Sequence, residues 1–462
     1  MKSSRSITQL HSVALGLCLG AALSACGVNS QNNYEQMRGM LVEQKFSDAA
    51  NWIEGNKDKI YGENNAVLFY MDKMMALHLA KQYKESNELV QKADEKIEAL
   101  YTESVSKNIG AFLTNDNVLP YEGEEFEKVL IHLVGALNFT GLGDKEGALV
   151  EARRVEEKLT QLNDRITKGA KDEKDEAAKA RAQYSEDAFV RWFIGCMYET
   201  EADQQSLNDA LIAYKKALEA YEKSYTPKYK TPVPTLLVQD YARAAEALRF
   251  DEDLAALKKK FPNLSYPKPA DTKDKGEIVL LHLNGEAPYK IEKTWETVAD
   301  SKAIKVAYPE YAMKTKSIAY ATLSVSGTES KTETFEDVAA IAVQSLADRM
   351  GRVKAQMIAR AIAKFIAAKA AEVATEQAGG GGLGKLMGAA VSVAGAATEK
   401  ADVRSWLLLP ATIDIAKAYI PAGKHNVTVT FHSAAGGVVR TETIPDVEVK
   451  PGKKVFLNLR TF

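Results

Sequence analysis

Cysteine, histidine and proline are all scarce in this chain: 3, 6 and 13 of 462 residues. So few cysteines leave no disulfide framework, and no paired-Cys spacing of a zinc site is present. The histidines form no H-E-x-x-H, and no G-x-S-x-G nucleophile elbow occurs, so no catalytic residue, metal ligand or cofactor site is nominated. Only His425 and His432 lie near one another, seven apart beside one predicted strand, and an odd separation places them on opposite faces. A net excess of either charge is missing too. Lys and Arg number 60 against 62 Asp and Glu, with no basic cluster, which excludes a strongly basic nucleic-acid binder. No apolar run reaches the ~20 residues that span a bilayer. What remains, 46% hydrophobic and 26% charged, is a globular composition with length for two or three domains.

The N-terminus carries the first positive signal. Lys2 and Arg5 precede an apolar run from Val13 to Leu23, which ends at Ser24-Ala25-Cys26. A basic region, a short apolar core and a small-residue site predict a secretory signal. Leu23-Ser24-Ala25-Cys26 resembles a bacterial lipobox. That resemblance implies a signal peptide over 1–25, lipidation of Cys26 and a lipidated tether over 26–33, with Gly27 after the cysteine implying sorting to the outer membrane. Three acyl chains at ~0.8 kcal/mol per buried CH₂ would anchor it stably. Cys18 would leave with the signal, so Cys196 would be the one thiol of the mature chain. Its setting, Phe193-Ile194-Gly195-Cys196-Met197, is that of a buried small hydrophobe.

From 34 to 261 the apolar positions follow a helical period, with sparse Gly and Pro. A junction recurs at Phe46-Ser-Asp-Ala49, Tyr83-Lys-Glu-Ser86, Lys145-Glu-Gly-Ala148 and Leu207-Asn-Asp-Ala210, and Ser86, Ala148 and Ala210 stand 62 residues apart. Ala93, Val155 and Ala217 follow seven residues after these three. Small residues so placed let paired helices approach and stack, which predicts a degenerate tetratricopeptide-like (TPR-like) α-solenoid, with Ala148 and Ala210 as structural residues. Lys168 to Arg181 is expected to be a solvated insertion.

Pro262, Pro267 and Pro269 make 262–275 a linker expected to carry few contacts, so that 30–262 would fold alone. Beyond it, at 276–462, strands are predicted at Glu277–Leu283, Ile304–Tyr308, Ser317–Ser326, Thr412–Tyr419, Asn426–His432, Val438–Ile444 and Lys454–Arg460. They suggest a C-terminal β-sandwich interrupted by an Ala/Gly-rich helical segment at about 336–398. Trp406, with Pro410 shortly after, is expected to pack into the edge of that C-terminal core. Gly379 to Lys385 satisfies both G-x-G-x-x-G and G-x-x-x-x-G-K, but no strand precedes it and Leu386 replaces the Ser/Thr of a P-loop. It is expected to be a hinge rather than a phosphate cradle. The whole is an α+β multidomain chain.

Gly143-Asp144 with Ala148-Leu149-Val150-Glu151-Ala152-Arg153-Arg154, Asn208-Asp209-Ala210, Arg404-Ser405-Trp406 with Leu409-Pro410, and Pro421-Ala422-Gly423 carry a wider resemblance. With these strings the chain resembles uncharacterised bacterial outer-membrane lipoproteins that join TPR-like helices to a β-rich C-terminal domain. Together, resemblance and pattern lead to a lipid-anchored, periplasm-facing adaptor that binds protein partners of a cell-envelope complex, touches no nucleic acid and is not an enzyme. A homo-oligomeric structural subunit of an envelope export or flagellar-type assembly is the alternative, and an envelope hydrolase a third reading.

Overall fold

The computed structural model describes residues 30–106, 119–169, 186–201, 203–299, 302–377 and 400–462. The signal sequence with Cys26, the insertion from 170 onward, and Gly379 to Lys385 with the small-residue run after them lie outside the described residues. Within them the chain is an α+β mixture, helices first and sheets near the C-terminus.

Helices α1 (Ser30–Val42), α2 (Phe46–Gly55), α3 (Ala66–Leu79) and α4 (Tyr83–Ser106) are followed by α5 (Glu125–Gly141), α6 (Lys145–Gly169), α7 (Ala188–Tyr198) and α8 (Gln204–Ala220). After wide turns over Tyr221–Tyr229 come α9 (Thr235–Leu248), α10 (Asp251–Lys260) and the short α11 (Pro269–Thr272). Aspartates start three of them: Asp144, Asp187 and Asp203 accept the Gly147, Val190 and Ser206 N–H groups. Ala49, Ser86, Ala148 and Ala210 are fully buried, as are Ala93, Val155 and Ala217. Consecutive helices pack on each other at these positions, where a larger side chain would hold them apart. Gly195 answers to the same demand: a Cβ there would stand 2.4 Å from the Tyr214 ring.

One buried carboxyl in this layer sets a pH dependence. Asp72 on α3 accepts the Tyr61 hydroxyl at 2.9 Å, its other oxygen has no partner, and burial pushes its pKa up to about 8. Between the unfolded value of 3.8 and about 8 the folded state holds a proton that the unfolded state releases, so this group's contribution falls as pH rises through that window. Asp72→Asn should therefore stabilise the protein by a few kcal/mol at pH 8 and by little at pH 4. Chemical unfolding of both proteins across that range gives the difference, and equal curves would refute it.

The sheets begin with β1 (Lys275–Asn284), β2 (Tyr289–Ala299), β3 (Lys302–Ala312), β4 (Tyr320–Val325), β5 (Thr328–Lys331) and β6 (Glu333–Asp337). The 40-residue helix α12 (Val338–Gln377) intervenes before β7 (Thr412–Pro421), β8 (Gly423–His432), β9 (Val438–Val449) and β10 (Lys454–Arg460). Two four-stranded sheets result, ordered β10-β1-β7-β6 and β5-β4-β8-β9, while β2 and β3 form a separate ribbon. Strand parity divides the first sheet between two cores. Ile278 and Leu280 of β1, with Ala416 and Ala418 of β7, face Leu323, Val429 and Phe431 of the second sheet. Val279, Leu281, Ile413 and Ile415 face the helices, in an apolar cluster running from Tyr34 to Leu409 and Ile413.

That shared cluster overturns two expectations. The element type changes at the proline-rich segment, but the core does not divide there, so a fragment ending at 262 would bare the helix face that Val279 and Leu281 cover. Trp406, 1% exposed, belongs to the same cluster rather than to the edge of the C-terminal core, and its backbone N–H donates to Glu127 of α5. The strands β2, β5 and β6 also went unforeseen. In β2, Glu292, Lys293 and Glu296 obscure the alternation because the ribbon pairs only with itself and keeps charges in water. The helical segment expected from 336 begins at Val338, because Glu336 and Asp337 still pair with β7.

Candidate functional site

Where the helices meet the first sheet, six charged side chains close into a ring of alternating sign. Lys417 pairs with Asp240 and with Glu277, each at 2.5 Å. Lys454 pairs with Glu277 and, at 2.9 Å, with Glu199. Arg243 closes it, 2.7 Å from Glu199 and 3.0 Å from Asp240. Three carboxylates balance three cations. Strand register puts the sheet's share together: Glu277 lies beside Lys454 across the parallel β1–β10 pair, and Lys417 opposite Val279, two residues along β1. Asp240 and Arg243 stand three apart on α9, hence on one face, and Glu199 caps the end of α7.

Each charge is stabilised by the next. Burial alone would raise the Glu277 carboxyl, yet Lys417 and Lys454 hold it down at about 2. Burial likewise opposes the charge on Lys454, which Glu199 and Glu277 nevertheless hold well above the ordinary lysine value. Hydrogen bonds from Trp192 Nε1 to Asp240 and from Tyr214 to Glu199 supply further donors. Cys196, the thiol beside Tyr214, is buried and free, and burial pushes its pKa up. It is a packed hydrophobe with little thiolate.

Beside the ring opens a cavity of about 740 Å³. Four carboxylates line it and all are engaged: Glu199 and Glu277 in the ring, Glu201 with Lys145 at 2.6 Å, Asp203 in its helix cap. Three of its cationic side chains, Arg249, Lys273 and Lys275, have neither a hydrogen-bond nor an ion-pair partner among the described residues, while Lys453 donates to the Thr200 carbonyl at 2.9 Å. Tyr419 also lines it, its buried hydroxyl without a hydrogen-bond partner, and burial pushes its pKa up, so the group stays a donor. The arrangement suits recognition of a ligand that offers acceptors and negative charge.

None of the site residues expected from sequence (Cys26, Ala148, Ala210, Trp406, Pro410) lines this cavity, although the junction residue Leu207 and the linker residue Pro269 do. Ala148 and Ala210 are buried in helix crossings, Trp406 and Pro410 in the shared core, and Cys26 lies outside the described residues. His425 and His432 take separate partners, Ser326 and Thr322, and among the described residues no three His, Cys, Asp or Glu side chains group as metal ligands. A signal for the ring did exist. Glu277, Lys417 and Lys454 share strand parity with core residues Val279, Ile415 and Phe456, and a charge at a core position needs a buried partner. Comparisons with protein-family models, curated proteins and solved structures return no match for this chain.

Proposed function

We propose that this protein is a lipid-anchored, periplasm-facing adaptor or scaffold, held at the bacterial outer membrane through Cys26 and binding protein partners of a cell-envelope complex. In this reading the helices are a degenerate TPR-like solenoid and the paired sheets a β-sandwich, with the cavity at their seam as the recognition site. The observation that carries it is the cavity's division of labour: every carboxylate is already engaged, while a tyrosine hydroxyl and three cations are not. Groups so neutralised stabilise and orient, and the reading assigns them no catalytic role.

The first helix begins at Ser30, inside the span 26–33 expected to be tether, so a tether to Cys26 is shorter than expected. Ser30, the fourth residue after the cysteine, opens α1, and α1 is pinned to the β1–β2 connection where Glu286 accepts Tyr34 at 2.7 Å and pairs with Arg38 at 2.9 Å. Cys26→Ser should abolish incorporation of labelled palmitate and release the protein from the outer-membrane fraction. Retention with label would defeat the anchor. Crosslinking in intact cells with mass spectrometry tests for the partner. The alternative, an oligomeric structural subunit, draws on α12, about 60 Å long at 1.5 Å per residue. A native mass of many subunits would favour it over an adaptor.

A further inference from the structure

We propose that the cavity beside the ionic ring binds an acidic peptide segment, a refinement that rests on the adaptor reading. Tyr419 supplies the first argument. Its hydroxyl is buried, stays protonated and lacks an acceptor, although buried donors almost always have one. None of the ring carboxylates, which pair with Lys417, Lys454 and Arg243, accepts a hydrogen bond from it. Charge supplies the second. With the lining carboxylates engaged, the uncommitted charge is positive and comes from three elements: Arg249 after α9, Lys273 after α11 and Lys275 opening β1. Cations spread over separate elements match carboxylates distributed along a chain better than one compact anion. Size supplies the third, since about 740 Å³ exceeds what a single inorganic anion fills, and Leu248 and Pro269 give apolar wall between the charges.

The test uses the full-length mature protein in detergent and a fluorescein-labelled hexapeptide of alternating Asp and Glu, with its Asn/Gln counterpart as control. The acidic peptide should bind at least tenfold more tightly than the control, with affinity falling as salt rises. Arg249→Gln combined with Lys273→Gln should lose about tenfold. Tyr419→Phe should lose severalfold while leaving the unfolding temperature of the free protein unchanged or higher, because the hydroxyl it removes satisfies nothing there. Equal binding of the two peptides, or full binding by both variants, overturns the proposal. Competition by inorganic phosphate or citrate at sub-millimolar concentration also overturns it, in favour of a small-anion site. The adaptor reading fails separately: a partner crosslinked in cells equally well by wild type and the Arg249→Gln/Lys273→Gln protein would keep the adaptor and sink the acidic peptide, whereas peptide binding with no partner in cells would do the opposite.

Discussion

Lys417→Met should cost about 3–5 kcal/mol of folding stability, read as a lowered midpoint in chemical unfolding. The side chain is 4% exposed and carries two of the six pairs in the ring, so its loss leaves Asp240 and Glu277 buried with three carboxylates facing two cations. The cost comes from the stranded charges rather than from the lost attraction, and that distinction can be measured. Adding Asp240→Asn to Lys417→Met leaves two carboxylates against two cations, and stability should recover substantially. If the double variant is no more stable than the single, the loss belongs to packing against Trp192, whose ring lies 6.0 Å from the ammonium. Acid should act through the same group. Glu277 titrates at about 2 when folded against an ordinary 4.5, so its contribution is complete above about 4.5 and lost as pH falls through about 2.

Trp406→Ala should cost a further ~3–5 kcal/mol in its own right, as expected for a large aromatic cut from a close-packed core. The residue sits where helices and sheet share one cluster, so the void would open against both. Its indole nitrogen has no hydrogen-bond partner, which separates two explanations. Trp406→Phe keeps most of the buried area and should lose much less than alanine does. A phenylalanine variant as damaged as the alanine one would mean that the indole shape, rather than its apolar area, holds the seam. The backbone bond from Trp406 N–H to Glu127 Oε1, 2.7 Å, survives either change.

The same two residues mark how far the sequence could be read. Helical periodicity and the small residues at the junctions were legible because each is a local demand: two helices can touch only where side chains are small. Strands β1, β7, β8 and β10 were legible too, β8 from its alternation and the others from short runs rich in apolar residues bounded by turn signals. The hairpin strand β2 was not, since Glu292, Lys293 and Glu296 break its apolar pattern and most of the ribbon's buried side chains, Val306, Ala307 and Tyr311, come from its partner β3.

The candidate site belongs to the other category. Asp240 and Lys417 are 177 residues apart, as are Glu277 and Lys454, and no local pattern reports which distant charge will neutralise which. The chain by itself determined that helices come first and strands last, where the small residues fall, and that charges occupy core-parity positions in β1, β7 and β10. Only the tertiary structure decided that the helices lie on the sheet in one continuous core, that those charges close into a ring, and that a cavity with an unpartnered tyrosine hydroxyl opens beside it. The physical reason is that capping, periodicity and parity are satisfied within a few residues, whereas neutralising a buried charge requires a partner that sheet register and helix docking alone bring into reach.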